Sequence, residues 1–233
     1  MFFSVSAVWG HRGWPSRYPD NVEAGIRAAA EVAGGVEIDI RRSADGHLVL
    51  SHDPDIEGAV VADHPWSTLS VIDLSGHRPT LLEAVLDVDV PLDLEVKNDP
   101  SEPGFEADHR LARDVADRAR PGDMVTSFWW PSVDAVRSSH PHVSTGLLFE
   151  APIDGLLAVR HAVDRGHHCI APQHGLVDET LMQAAGKEGI TVVTWTVDDG
   201  AEAMRLDRLG VDAIITNRPG ELIAEQPKTG STT

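Results

Sequence analysis

The chain has 233 residues, of which 37 are acidic and 19 basic, giving a formal charge of −18 with 42% apolar content. This length suits one large domain with a buried core, and the negative field argues against a partner such as nucleic acid or an anionic membrane surface. No apolar run reaches the roughly 18 residues of a membrane span, the lone Cys169 excludes an intrachain disulfide, and Met1-Phe2-Phe3 lacks a basic n-region, so a cytoplasmic location without a leader is expected.

Strand-type and helix-type segments alternate along the chain, the pattern of parallel βα units. Residues 4–9 read as the first strand. An Ala-rich helix over 21–32 follows, capped by Asp20 or Asn21 and ended by Gly34-Gly35. Residues 36–40 are the second strand, and the Asp45-Gly46 turn folds 48–51 back as a hairpin partner. Residues 54–78 read as a short insertion looping over the site, with one helix near 69–74. Thr80 is expected to cap a helix over 81–88. Further strands are expected at 92–96, 124–128, 144–149, 168–171, 190–197 and 212–216. Further helices are expected at 105–120, from Pro131, and at 154–165, 178–188, 201–209 and 219–224. About eight repeats in this length predict an α/β fold, a (β/α)8 TIM barrel filling residues 1–225 as one domain. A doubly wound open sheet is the alternative. The polar residues 226–233 are expected to be a disordered tail.

The chemistry-bearing residues gather where these strands end, the face on which barrel enzymes place their sites. His11 and Arg12 follow the first strand. Glu37 and Asp39, two apart, share a face of the second. Glu95 and Lys97 stand at the end of the third, and His52-Asp53 follows the hairpin. Carboxylates buried side by side repel unless a cation compensates them, and an oxygen donor set suits a hard divalent ion, Mg2+ or Ca2+. The competing reading pairs Glu37 and Glu95 with Arg41, Arg42 or Lys97 in plain salt bridges. Histidines titrate near neutral pH, so His11 and His52 are candidates for proton transfer; the alternative is a hydrogen-bonded structural role. Arg12 offers a planar fork to phosphate oxygens, and Lys97 either meets phosphate or fixes Glu95. Trp195 and Phe128 either wall the substrate or pack the core. His167-His168 and His140-Pro141-His142 read as surface histidines, since adjacent strand residues face opposite ways. His174 is a candidate for the rim.

His11-Arg12-Gly13, Pro19-Asp20-Asn21 with Glu23-Ala24, Glu37-Ile38-Asp39, Asp45-Gly46 and His52-Asp53 stand in an ordered series. Pro79 to Ala84, Leu94-Glu95-Val96-Lys97, Ser127-Phe128, Thr194 to Val197 and Gly210 to Thr216 continue it. In order and spacing the set resembles the glycerophosphodiester phosphodiesterase family over nearly the whole chain. The resemblance implies a divalent cation held by Glu37, Asp39 and Glu95, with His11 and His52 as the acid–base pair. It places Arg12, Lys97 and Trp195 beside a small glycerophosphodiester, which is hydrolysed to an alcohol and glycerol 3-phosphate. The net charge of −18, rather than the resemblance, argues for no nucleic-acid partner and no stable membrane association. A lysophospholipase D or phosphoinositide-type activity would use the same residues, whereas a non-catalytic phosphodiester-binding barrel predicts loss of a metal or proton-transfer residue, and all five are present. Two departures stand out: the family usually has Glu where Asp20 stands and Asp where Asn217 stands.

Overall fold

Short runs rich in aliphatic and β-branched residues, buried on both faces, make most strands of the barrel, as parallel sheets require. The computed structural model describes residues 8–225. Its strands are β1 (Val8–His11), β2 (Gly35–Arg42), β3 (Leu48–Leu50), β4 (Asp55–Ile56), β5 (Ala59–Val60), β6 (Leu92–Val96), β7 (Met124–Ser127), β8 (Ser144–Phe149), β9 (Cys169–Pro172), β10 (Thr191–Thr194) and β11 (Ala213–Thr216). The helices are α1 (Glu23–Ala30), α2 (Trp66–Leu69), α3 (Arg110–Ala116), α4 (Trp130–Ser139), α5 (Gly155–Arg165), α6 (Glu179–Glu188), α7 (Gly200–Leu209) and α8 (Pro219–Glu225). Residues 4–7 of the expected first strand and the expected tail at 226–233 lie outside the described residues.

β1, β2 and β6 to β11 run parallel around a ring that closes where β1 pairs with both β2 and β11. This is the TIM barrel expected from the repeat count, with its insertion after β2. Two apolar layers lie between barrel and helices, one around Ile26, Ile38, Leu94 and Leu111 and one around Phe149, Ile170, Leu181 and Ile214. Met124, Cys169, Val193, Ala213 and Ile215 form a separate cluster against Trp9 and Trp195. Gly35 is required there, because a Cβ at that position would stand 2.4 Å from the Trp9 ring. Among the described residues no helix is long and apolar enough to cross a membrane.

Several local expectations are corrected. The helix expected over 81–88 is only a 3-10 turn, Leu82–Ala84. Thr80 caps a different helix: its Oγ1 accepts the Glu23 backbone N–H at 2.9 Å, at the start of α1. Neither Asp20 nor Asn21 caps α1, because Arg12 takes the first side chain and Asp39 the second. The long helix expected over 105–120 shortens to α3, since Asn98 pins Glu106 through both backbone groups and the Glu106 carboxylate accepts the Leu111 N–H. The insertion is built from the β4–β5 hairpin, a 3-10 turn and α2, around Val49, Ile56, Val61 and Leu69. Its helix therefore lies earlier than expected, directly after Pro65.

Candidate active site

Register brings the acidic residues together. β1 places His11 beside Glu37 of β2, and β2 places Asp39 beside Glu95 of β6. Glu37, Asp39 and Glu95 are each less than a tenth exposed. One carboxylate oxygen from each lies within 4.8 Å of the others. The three residues that the sequence singled out for a cation thus share one seat.

Two cations stand against them. Arg12 donates its backbone N–H to Glu37 Oε2 at 2.9 Å, and its Nε lies 3.2 Å from Asp39 Oδ2. Lys97 Nζ contacts Glu95 and lies 2.9 Å from Asp39 Oδ1. The salt-bridge reading therefore holds for Glu95 with Lys97 but fails for Arg41 and Arg42. Arg41 donates to the His52 carbonyl and pairs with Glu102, and Arg42 pairs with Glu106 and Asp114.

Burial pushes Glu37 well above the ordinary carboxylate value, and Asp39 and Glu95 push it the same way. Burial also acts to raise Asp39, but Lys97 and Arg12 outweigh it and hold that carboxyl far below its usual range. Burial lifts Glu95 despite Lys97. Burial acts against the Lys97 charge, yet Glu95 and Asp39 raise its pKa above that of a free lysine. Glu37 Oε1 is buried with no hydrogen-bond partner among the described residues. An orphaned buried acceptor is costly, and a hard cation satisfies one. The donor set therefore fits a divalent ion, which Glu37, Asp39 and Glu95 would hold.

Both histidines line the cleft above this seat, a space of about 380 Å³ bordered also by Arg12, Lys97, Phe128 and Trp195. The orientation of His11 can be read from its neighbours. Asn217 Nδ2 donates to Asp198 Oδ2 at 2.7 Å, which turns Asn217 Oδ1 toward His11 Nδ1, also at 2.7 Å. Nδ1 must then carry the proton, and Nε2 is left 3.8 Å from Glu37 Oε2. Burial, with Arg12 nearby, lowers the His11 pKa. His52 Nδ1 lies 2.7 Å from Asp53 Oδ1, and Arg41 grips its carbonyl at 2.6 Å. Trp195 donates its indole N–H to the Ala171 carbonyl and meets the Phe128 ring edge-on at 5.3 Å.

Some site features were not legible in the motifs. Asn217, Asp198 and Arg41 act by holding the histidines, and Asn98, Asp99 and Glu102 supply the outer wall of the cleft in place of the insertion. His174 pairs with Glu202 at 2.8 Å and does not border the cleft. His167 is buried, contrary to the surface reading, whereas His168 is exposed.

Together with the family match, fold and rim define a barrel hydrolase of phosphoric diesters. The chain belongs to the glycerophosphoryl diester phosphodiesterase family, whose model matches residues 11–221. A glycerophosphodiester phosphodiesterase of Caldanaerobacter subterraneus subsp. tengcongensis is 29% identical over 237 residues, covering 93% of this chain and 96% of the relative. Arabidopsis thaliana glycerophosphodiester phosphodiesterase GDPD4 is 25% identical, covering 87% of this chain and 67% of its own. Among solved structures, an Oleispira antarctica phosphodiesterase in complex with the product sn-glycerol-3-phosphate superposes with a TM-score of 0.82 at 18% identity, covering 93% and 95% of the two chains. A Thermotoga maritima glycerophosphodiester phosphodiesterase gives 0.78 at 24% identity, covering 94% and 98%.

Proposed function

We propose that this protein hydrolyses glycerophosphodiesters to an alcohol and glycerol 3-phosphate. Glu37, Asp39 and Glu95 hold a Mg2+ or Ca2+ ion, and His11 and His52 transfer the protons. The observation that carries this reading is the meeting of three buried carboxylates beneath a cleft that both imidazoles line. The activity in the name of the Caldanaerobacter relative and the product in the Oleispira structure support the same substrate class.

When bound, the ion would polarise a phosphoryl oxygen and spread its developing charge. Arg12 and Lys97 supply the positive potential that draws an anionic diester into an acidic protein. Cleavage needs one proton taken from the attacking oxygen and one given to the departing alkoxide. Two imidazoles, each anchored through Nδ1, leave two Nε2 atoms for these tasks. The attacking oxygen is that of water, or the 2-hydroxyl of the glycerol unit through a cyclic phosphate that water then opens. Trp195 and Phe128 wall the organic part of the substrate.

The test is turnover of deacylated phospholipid diesters with and without a divalent chelator. Loss of activity on chelation and recovery with Mg2+ or Ca2+ is expected, and full activity in metal-free buffer would reject the mechanism. Lysophospholipid and inositol-phosphodiester substrates in the same assay separate the lipid-directed readings that share these residues.

A further inference from the structure

Away from the cleft, in the helical layer outside β8 and β9, three ligand-type side chains meet between two helices. Asp134 stands on α4, His161 on α5, and His167 in the turn from α5 into β9. His161 Nε2 lies 3.1 Å and His167 Nε2 2.9 Å from the same oxygen, Asp134 Oδ1. The two rings are nearly parallel, 6° apart with centroids 5.9 Å apart. The three ligand atoms fall within 4.8 Å of one another. The His167 side chain is fully buried, and those of His161 and Asp134 are 26% and 21% exposed, so the cluster has one open edge.

The far nitrogen of His167 is fixed. Its Nδ1 lies 2.9 Å from the Thr145 hydroxyl, which is itself buried at the start of β8. Against the Asp134 carboxylate, Nε2 carries the proton and Nδ1 accepts from the Thr145 hydroxyl. A metal at Nε2 would take that lone pair and leave the proton on Nδ1, which then donates to the Thr145 oxygen, the arrangement that orients histidine ligands around metals. The nearby cation is Arg137, whose guanidinium is drawn off toward the Pro141 carbonyl. Two imidazoles and one carboxylate are a different donor set from the all-oxygen seat in the cleft. They suit Zn2+ and its late first-row neighbours, with a fourth position open to water.

The geometry points to a second metal site, formed by Asp134, His161 and His167, that takes a divalent transition metal such as Zn2+ and ties α4 and α5 to the base of β8 and β9. It is independent of the hydrolytic reading, because none of its residues borders the cleft.

Co2+ serves as the probe. Protein stripped with chelator and then saturated with Mg2+ is titrated with Co2+, following visible d–d absorption and the melting temperature. The wild type should bind one equivalent that Zn2+ displaces. Glu37→Gln should keep that signal. His161→Ala should lose it while remaining folded, since the residue is part-exposed. Thr145→Val should weaken binding by about 10- to 100-fold. The proposal fails if the wild type binds no Co2+ beyond the carboxylate seat, if His161→Ala and Asp134→Asn both bind like the wild type, or if the signal disappears in Glu37→Gln.

Discussion

Asn217 decides which nitrogen of His11 is available, although it donates nothing to the reaction itself. The Asp198 carboxylate orients the Asn217 amide, and the amide fixes the tautomer of the imidazole. Asn217→Ala should therefore lower kcat by about 10-fold or more with little change in KM, since proton transfer rather than binding is disturbed. A change confined to KM would show that Asn217 positions substrate instead. Replacing His11 or His52 by Ala should each cost roughly 100-fold or more in turnover. Steady-state rates indistinguishable from the wild type would remove that residue from the chemistry. His11 and His52 were legible as cleft residues because they stand in short motifs at or just after the ends of β1 and β3. Asn217 stood out only as a departure from the family pattern and Asp198 not at all, because what matters is the contact of Asn217 with His11, 206 positions away, and that of Asp198 with Asn217.

Secondary-structure elements show where local signals were overridden. Thr80 has the character of a cap, and it caps, but across space onto α1. Thr80→Val should destabilise the fold by about 1 kcal/mol in urea unfolding; an unchanged midpoint would mean that solvent replaces the hydroxyl. On α7, the Arg205 guanidinium, and after it His174, hold the Glu202 carboxyl down to about 2 against burial, from an ordinary value of 4.5. A depressed folded pKa stabilises fully above the unfolded value and loses that contribution as pH falls through the folded one. Glu202→Gln should thus be less stable than the wild type at neutral pH, by up to about 1 kcal/mol for a partly solvated pair. The gap should narrow steadily from pH 4.5 toward pH 2. A gap that stays constant over this range would mean the carboxylate charge is not what matters. The helices with ordinary caps, α5, α6 and α7, were predicted to within a residue or two at each end, since Asp154, Asp178 and Asp199 accept their own first-turn N–H groups. α3 was overestimated because Glu106 reads as helical yet acts from outside as the group that starts the helix.

The whole molecule carries a net charge of −18 and concentrates part of it, buried, at one point. A cation that binds the folded chain and not the unfolded one stabilises by mass action. At a hundredfold excess of Mg2+ or Ca2+ over its dissociation constant, the gain is about 2.7 kcal/mol. Thermal melts should therefore shift upward with added ion, and the shift should largely vanish in Glu95→Gln. A melting temperature indifferent to both ions in the wild type would argue that Arg12 and Lys97 alone balance the carboxylates.

The sequence alone determined the alternation of strands and helices, the closure into a barrel, and the residues that would stand at strand ends. Those are consequences of local propensity, chain length and side-chain period, all of which are written along the chain. Only the tertiary structure decided that Arg41 holds His52, that Lys97 braces Glu95, that Asn98, Asp99 and Glu102 border the cleft in place of the insertion, and that His167 turns inward to meet Asp134 and His161. The reason is physical: a buried polar group takes whichever partner the folded chain brings within reach, and that partner need not be near in sequence.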